Sequence, residues 1–221
     1  MNTFIALLRG INVGGNNIIK MEHLKQMLVS MGFSDVKTYI QSGNVIFRSS
    51  ESDKLKLTEK IENQLQKNFY VEGTSNNSVR HCGLDPQSPE NKEILKQVQN
   101  DGGIFKTPLV IKTLILTADD LAETVKDAPE NFGVEPEKFR YDVWFLLPPT
   151  TTNDIVPNVR LREGVDFLQA GKNVIYAMRL TSEASRSYFP KIMQMPFYKS
   201  ITIRNWNTTR KLLELAKKTE L

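Results

Sequence analysis

The sequence predicts an α+β protein, in which an N-terminal ferredoxin-like subdomain of order β-α-β-β-α-β packs on a second, looser α+β subdomain of similar order. Three observations carry this prediction: an apolar N-terminal strand, a series of strand-like and helix-like segments up to residue 115, and a second such series after it. Residues 1–115 are therefore expected to form the first subdomain and residues 116–221 the second. Hydrophobic residues make up 40% of the 221 positions, which is enough apolar material for a core.

The first half begins with a strand, residues 3–9, that is apolar on both alternating faces and is expected to be covered on two sides. A helix follows and ends at Gly32, because apolar residues recur at intervals of three and four. These residues are Met21, Leu24, Leu28 and Met31. Two β-rich segments, residues 36–40 and 44–48, come next and are joined by a tight link, which predicts a hairpin.

A second helix and a closing strand complete the predicted order of the first half. Apolar residues spaced by four predict the helix, and residues 108–114 predict the strand. The helix residues are Leu57, Ile61, Leu65 and Phe69. The polar residues 70–104 do not fit the pattern and are interpreted as an insert. Within this insert, residues 88–90 predict the start of a helix and residues 101–103 its end.

The second half repeats the order of elements more loosely. The predicted elements are a strand at 142–147, a short helix near Thr152, a hairpin at 167–178, a helix at 182–195, a strand at 201–204 and a last helix at 206–218. The letters of residues 39–47 also recur in residues 167–176 if Lys172 is treated as inserted, which suggests a duplication. The alternative is that unrelated hairpins converge on such letters.

Charge and cysteine content exclude several classes of protein. The net charge of +4, from 29 basic and 25 acidic residues, favours anionic partners weakly and does not approach the charge density of a dedicated nucleic-acid binder, which disfavours nucleic-acid binding without excluding it. The single cysteine, Cys82, excludes an internal disulfide, and with His23 and His81 as the two histidines no usual zinc cluster can form. The apolar run 4–8 is too short for a signal peptide, and no run approaches ~20 apolar residues. A cytoplasmic protein without membrane association or bound metal is expected.

The most distinctive chemistry is the sequence RGINVGGNN, residues 9–17, which closes the first strand and opens a helix. A glycine-rich turn at such a junction can direct backbone N–H groups at a phosphate or carboxylate, and the helix dipole adds to the attraction. The predicted ligand-binding residues of this loop are Arg9, Gly10, Asn12, Gly14 and Gly15, with Lys20 as further countercharge. The spacing matches neither the P-loop nor the dinucleotide fingerprint. The alternative is that these residues simply permit positive φ in a long connection.

The hairpin turn supplies a second group of candidates, Tyr39, Gln41, Ser42 and Asn44. Their hydroxyl and amide groups are suited to orienting a polar ligand. The alternative is turn formation and strand packing. The sequence leaves open whether this turn and the first loop lie at the same end of the sheet.

A secondary anion site is predicted where the last strand meets the last helix, at Arg204, Asn205 and Trp206. The alternative, which is favoured, is that Asn205 or Asn207 caps the helix while Trp206 anchors it on the core.

Catalytic machinery is not evident. His23 is expected at the surface, no G-x-S-x-G elbow is present, and carboxylates such as Asp35 and Asp142 show no paired spacing. The sequence identifies no cofactor and leaves open whether the chain is an enzyme. Three functions are retained: a binding protein or enzyme for a small anionic or nucleotide-like ligand, a single-stranded nucleic-acid binder that stacks bases on Phe4 and Phe47, and a ligand-free scaffold or homo-oligomer.

Several of these motifs are those of a known family. ALLRGINVGG, GFSDVKTYIQSGNVIF and ITIRNWNTTRKL resemble a bacterial family of uncharacterised proteins, the domain of unknown function 1697, over about residues 1–69 and 105–216. The resemblance implies a compact α+β protein without an assigned activity. RHCGLDPQSPENKEILKQVQNDGG instead resembles a peptide encoded by a mobile repeat element, which implies that His81 and Cys82 are not catalytic.

Overall fold

The computed structural model describes residues 1–13, 17–73 and 105–220. In chain order its strands are β1 (Asn2–Leu8), β2 (Ser34–Tyr39), β3 (Asn44–Ser49), β4 (Tyr70–Gly73), β5 (Phe105–Pro108), β6 (Thr113–Thr117), β7 (Phe139–Leu146), β8 (Asp166–Ala170), β9 (Val174–Leu180) and β10 (Ile201–Asn205). Its α-helices are α1 (Met21–Ser30), α2 (Lys54–Asn68), α3 (Ala118–Lys126), α4 (Thr152–Ile155) and α5 (Trp206–Glu220). Each half combines helices with an antiparallel sheet, which confirms the α+β class.

Two four-stranded antiparallel sheets form the framework. The first has the order β2-β3-β1-β6 and the second the order β10-β7-β9-β8. Counted along the chain, the strands of each sheet are therefore arranged second, third, first, fourth. The two hairpins with similar letters, β2-β3 and β8-β9, occupy equivalent positions, which supports the interpretation as a duplication.

The predicted order of elements along the chain, β-α-β-β-α-β, is not reproduced exactly. Strands β4 and β5 pair with each other and come between α2 and β6. The prediction of one strand at 108–114 was wrong: β5 ends at Pro108 and β6 begins at Thr113. The connection between them looks strand-like because Leu109 and Ile111 are buried in the core beneath α2, whereas Val110 is exposed. Apolar alternation here reflects packing of a connection rather than pairing in a sheet.

Strand β1 lies at the centre of the molecule and is covered on two sides, as its letters predict. Phe4, Ala6 and Leu8 face a core formed with α1 and α2. Ile5 and Leu7 face a second core, which contains α3, α5 and side chains of both sheets. A third core lies on the second sheet beneath a series of short 3₁₀ segments. The second core joins the two halves, and the boundary at residue 115 stays a prediction.

Two segments of the second half differ from expectation. Helix α3 was missed, although its capping box could have revealed it: Asp120 N donates to Thr117 Oγ1 at 3.0 Å, and Thr117 N donates to Asp120 Oδ2 at 2.7 Å. The helix predicted at 182–195 is wrong, because the chain forms separate 3₁₀ segments there. Pro190 and Pro196 lie at the starts of two such segments, and proline within a continuous helix would remove a hydrogen bond and clash with the preceding turn.

Tyr176 links the second sheet to α3, since its hydroxyl donates to Thr124 O at 2.7 Å. Burial, followed by the charges of Asp127 and Glu123, raises the pKa of Tyr176 to about 12. Between about pH 10 and pH 12 the unfolded chain loses this proton while the folded chain keeps it, so the free energy of unfolding falls as pH rises through that window. We expect Tyr176→Phe to reduce this fall, and to cost about 1 kcal/mol near neutral pH. Urea unfolding of both proteins across that pH range is the measurement, and equal slopes would contradict the expectation.

Candidate functional site

The loop after β1 and the turn after β2 lie side by side at one end of the first sheet. Leu8 N donates to Gly43 O at 2.8 Å, and Asn12 Nδ2 donates to Gln41 O, also at 2.8 Å. The two groups of candidate residues are therefore neighbours, which the sequence left open.

Asn12 organises the described part of the loop. Its side chain accepts a hydrogen bond from Ile19 N at 2.7 Å and donates to Ile19 O at 2.9 Å, while its backbone N donates to Asn17 O at 3.1 Å. Asn12 and Asn17 adopt φ values of 54° and 49°, and Gly10 a φ of 72°. Turn formation thus accounts for these three residues. Gly14 and Gly15 lie outside the described residues, so the use of their amides for an anion stays a prediction.

The turn after β2 is tightly packed around Gly43 and Asn44. Gly43 has a φ of 75°, and a Cβ atom placed on it would lie 2.8 Å from Leu8 Cβ. Asn44 is fully buried and donates to Tyr39 O at 3.1 Å and to Ser42 Oγ at 2.9 Å. Gln41 is exposed, and Tyr39 packs against the second core. Gln41 is the candidate of this turn whose side chain lies most open to a ligand.

Arg204 crosses from β10 of the second sheet to this loop and turn. Arg204 as a whole is only 7% exposed, and Nε, Nη1 and Nη2 of its guanidinium all donate to protein acceptors. The acceptors are Asn44 Oδ1, Thr202 Oγ1 (2.9 Å), Ile203 O (2.9 Å), Leu8 O (2.8 Å), Ser42 O (3.1 Å) and Gly43 O (3.4 Å). Arg204 therefore holds the backbone of the candidate site in place rather than presenting free donors to it.

The charge of Arg204 is not neutralised by the protein around it. All its acceptors are uncharged, and no carboxylate in the described parts of the chain forms an ion pair with it. Burial lowers the pKa of Arg204 to about 10, because the charged form has lost its hydration. The guanidinium remains protonated near neutral pH, so a positive charge lies beneath the loop and turn.

Arg9 makes the reciprocal crossing from the first sheet to the second. Its Nε donates to Ile201 O at 3.0 Å, its Nη2 donates to Tyr198 O at 3.1 Å, and its Cζ lies 4.8 Å from the centre of the Tyr198 ring. The role of Tyr198 was missed, because no local pattern joins residues separated by 189 positions. Arg9 and Arg204 together fasten the ends of β1 and β10 to each other.

The start of α5 carries the secondary candidates. Asn205 Oδ1 accepts from Asn207 N at 3.0 Å and so caps the helix, as the favoured alternative held. Trp206 is 6% exposed and packs edge-on against Phe132. A cavity of about 410 Å³ lies beside these residues. It is lined by Gly133, Pro136, Phe139, Arg140, Tyr141, Thr181, Asn205, Trp206 and Asn207.

The charge in this cavity is paired. Arg140 donates to Asp142 through Nε at 2.7 Å and Nη2 at 3.2 Å, and these hydrogen bonds raise the pKa of Arg140. An anion entering the cavity would have to compete with Asp142, which makes this site weaker than one with an unpaired cation.

Neither a metal centre nor a base-stacking surface is formed by the residues discussed so far. Within the described ranges, no three His, Cys, Asp or Glu side chains converge to hold a metal ion. Phe4 and Phe47 are 1% and 0% exposed, with ring centres 5.8 Å apart inside the first core. Bases cannot stack on them, so these two residues give no support to nucleic-acid binding.

The comparisons with known proteins identify a family for the first part of the chain and a solved structure with the same fold. Residues 1–75 match the model of a family described as "Protein of unknown function (DUF1697)". This match confirms the family resemblance over residues 1–75, and the resemblance of residues 105–216 stays a prediction. The DUF1697 match contains the loop after β1 and the turn after β2, whereas Tyr198 and Arg204 lie beyond the matched residues.

A solved structure shares the fold over nearly the whole chain. The conserved bacterial protein SP0830 from Streptococcus pneumoniae is similar with a TM-score of 0.68 and 24% identity, over 97% of this chain and 98% of that one. At this level of identity the likeness concerns the fold alone. No curated protein matches the chain. In the part of the chain that the structure describes, no helix has the length and apolar character needed to cross a membrane.

Proposed function

We propose that this protein binds a small anionic or nucleotide-like ligand at the loop after β1, beside the turn after β2. The observation that carries the proposal is the buried, unneutralised guanidinium of Arg204, which touches Leu8, Ser42 and Gly43. Charges interact more strongly inside a protein than in water. An anion at the surface of this loop therefore gains from Arg204 without contacting it.

The candidate residues are divided into those that would position the site and those proposed to contact the ligand. Arg9, Asn12, Asn44 and Arg204 are bonded to the protein and would position the site. The residues proposed to contact the ligand would do so through a side chain or, in the case of the glycines, through a backbone amide. They are Gly10, Gly14, Gly15, Lys20, Tyr39, Gln41 and Ser42. In this arrangement the ligand is held by backbone N–H groups, one ammonium and neutral side chains.

The secondary site at Asn205 and Trp206 is proposed as a weaker pocket of the same anionic preference. The cavity and the start of α5 support it, and the pairing of Arg140 with Asp142 explains why we rank it second.

The first test is a thermal-shift measurement with a panel of phosphate- and carboxylate-bearing metabolites. A ligand at 100 times its Kd stabilises the folded chain by about 2.7 kcal/mol, which corresponds to roughly 5 to 10 °C for a chain of this size. If no phosphate or carboxylate compound shifts the midpoint, the proposal fails and a ligand-free scaffold is favoured.

Charge reversal at two exposed lysines locates the ligand. Lys20 lies at the start of α1 beside the loop, and Lys56 lies in the first turn of α2, which begins at the opposite end of the same sheet. We expect Lys20→Glu to remove most of the ligand-induced shift and Lys56→Glu to keep it, because only the first places a negative charge near the ligand. An equal loss in both variants would mean that the anion binds through general charge alone.

A further inference from the structure

A cluster of cations surrounds one tyrosine in the second half, away from the loop discussed above. The Cζ atoms of Arg160 and Arg162 lie 4.5 and 4.7 Å from the centre of the Tyr188 ring, and Lys191 Nζ lies 5.0 Å from it. Arg162 Nη2 also donates to the Tyr188 hydroxyl at 2.8 Å. We call these four residues the Tyr188 cluster.

The carboxylate beside the Tyr188 cluster is committed to holding the backbone. Asp166 is 4% exposed and accepts hydrogen bonds from Ser187 Oγ, from Tyr188 N at 2.8 Å and from Arg162 N at 3.0 Å. It fixes the positions of the two chain segments that carry the cations. These hydrogen bonds hold the backbone on which the cluster is built. They also occupy the carboxylate oxygens of Asp166.

The cations themselves have no anionic partner in the described residues. None of Arg160, Arg162 and Lys191 forms an ion pair with a described carboxylate, although other exposed arginines and lysines nearby do, such as Arg186 with Glu183 at 3.0 Å. Arg162 Nε is buried and has no acceptor among the described residues. Attraction to the face of an aromatic ring holds the three cations together against their mutual repulsion.

We propose that the Tyr188 cluster is a binding site for a phosphate or pyrophosphate group. Guanidinium groups donate in a planar fork that fits phosphate oxygens, and the ammonium adds a point charge. A compact, multiply charged oxyanion relieves the repulsion among three cations gathered around one ring. The ring limits the freedom of the arginines before the ligand arrives, which reduces the entropy lost on binding.

The Tyr188 cluster is separate from the site of the proposed function. Asp166 lies on β8, the edge strand of the second sheet, whereas Arg204 lies on β10 at the opposite edge. Lys20→Glu is therefore expected to leave phosphate binding at the cluster unchanged. Failure of one proposal does not entail failure of the other.

The test is titration of the full-length protein with pyrophosphate at constant ionic strength, followed by calorimetry. Arg160 and Lys191 are exposed, so Arg160→Ala and Lys191→Ala leave the core intact. We expect each to weaken binding roughly fivefold, as the loss of one exposed charge-assisted contact. Arg186→Ala is the matched control, because it removes an exposed charge of the same segment that lies outside the cluster and is paired with Glu183; it is expected to change the affinity less than about twofold.

A parallel titration with a short single-stranded oligonucleotide identifies the source of the phosphate. Binding of either ligand that depends on Arg160 and Lys191 but not on Arg186 supports the site, and the ligand that binds more tightly shows whether the site prefers a free phosphate compound or the phosphates of a nucleic-acid strand. The absence of binding for both ligands overturns the proposal. So does an equal loss of affinity in Arg186→Ala, since the attraction would then come from overall charge.

Discussion

Replacing Arg204 with methionine is expected to lower the free energy of unfolding by about 3 to 5 kcal/mol. Methionine keeps much of the unbranched side chain but removes the donors that bind Leu8 O, Ser42 O and Asn44 Oδ1. Leu8 O and Asn44 Oδ1 are buried and would lose these donors, and the bridge between β1 and β10 would be lost. Urea unfolding followed by far-UV circular dichroism measures the effect.

Arg210→Met provides the control for this experiment. Arg210 is an exposed arginine of α5, so the same chemical change there should alter the free energy of unfolding by less than about 0.5 kcal/mol. A second variant, Arg204→Lys, keeps the charge but lacks the planar fork that reaches several acceptors at once. If Arg204→Lys has the same free energy of unfolding as the unmodified protein, Arg204 stabilises the fold through its charge rather than through the geometry of its hydrogen bonds. Our account of how Arg204 links β10 to β1 would then be wrong.

Gly43→Ala is expected to destabilise the protein by about 2 to 4 kcal/mol. Two causes add: a φ of 75° is strained for alanine, and the new methyl group would lie 2.8 Å from Leu8 Cβ and 2.9 Å from Ile11 Cδ1. Relief is difficult because Gly43 is held on both sides, by Leu8 through a backbone hydrogen bond and by Arg204. Chemical denaturation again gives the value, and binding of an anion at the proposed site should weaken in parallel, because the turn lies beside the loop after β1.

Gly164→Ala separates the two causes. Gly164 has a φ of 72°, but nothing lies within 4 Å of the position that a Cβ would take. This variant should therefore carry only the backbone cost of about 1 to 2 kcal/mol. Equal effects at Gly43 and Gly164 would show that crowding against Leu8 and Ile11 contributes nothing.

Periodicity in the sequence was sufficient to find most of the elements. Local sequence patterns predicted the strand at the centre of the first sheet, the helices with apolar residues at intervals of four, and the hairpin around Gly43. Tertiary packing did not override these local preferences. The errors have local causes as well. Apolar residues of a packed connection looked like a strand at 108–114, and the prolines at positions 190 and 196 divide a segment whose apolar pattern suggested one helix.

The candidate site was predictable only in part. The loop of residues 9–17 and the turn of residues 41–44 were found because glycine and asparagine at the ends of strands are typical of turns. Their adjacency and the crossing of Arg204 were not predictable, since both depend on contacts between residues more than 25 positions apart. The Tyr188 cluster was missed for the same reason: Arg160, Arg162 and Lys191 carry no shared motif, and only the fold brings them to one ring.

The second core, which both halves share, also constrains how the chain can fold while the ribosome is still synthesising it. Ile5 and Leu7 of β1 are synthesised more than 200 residues before Leu212 and Ala216 of α5, which help to cover them in the second core. Before α5 has been made, this face of the nascent N-terminal sheet is only partly covered, and apolar surface exposed in this way promotes aggregation.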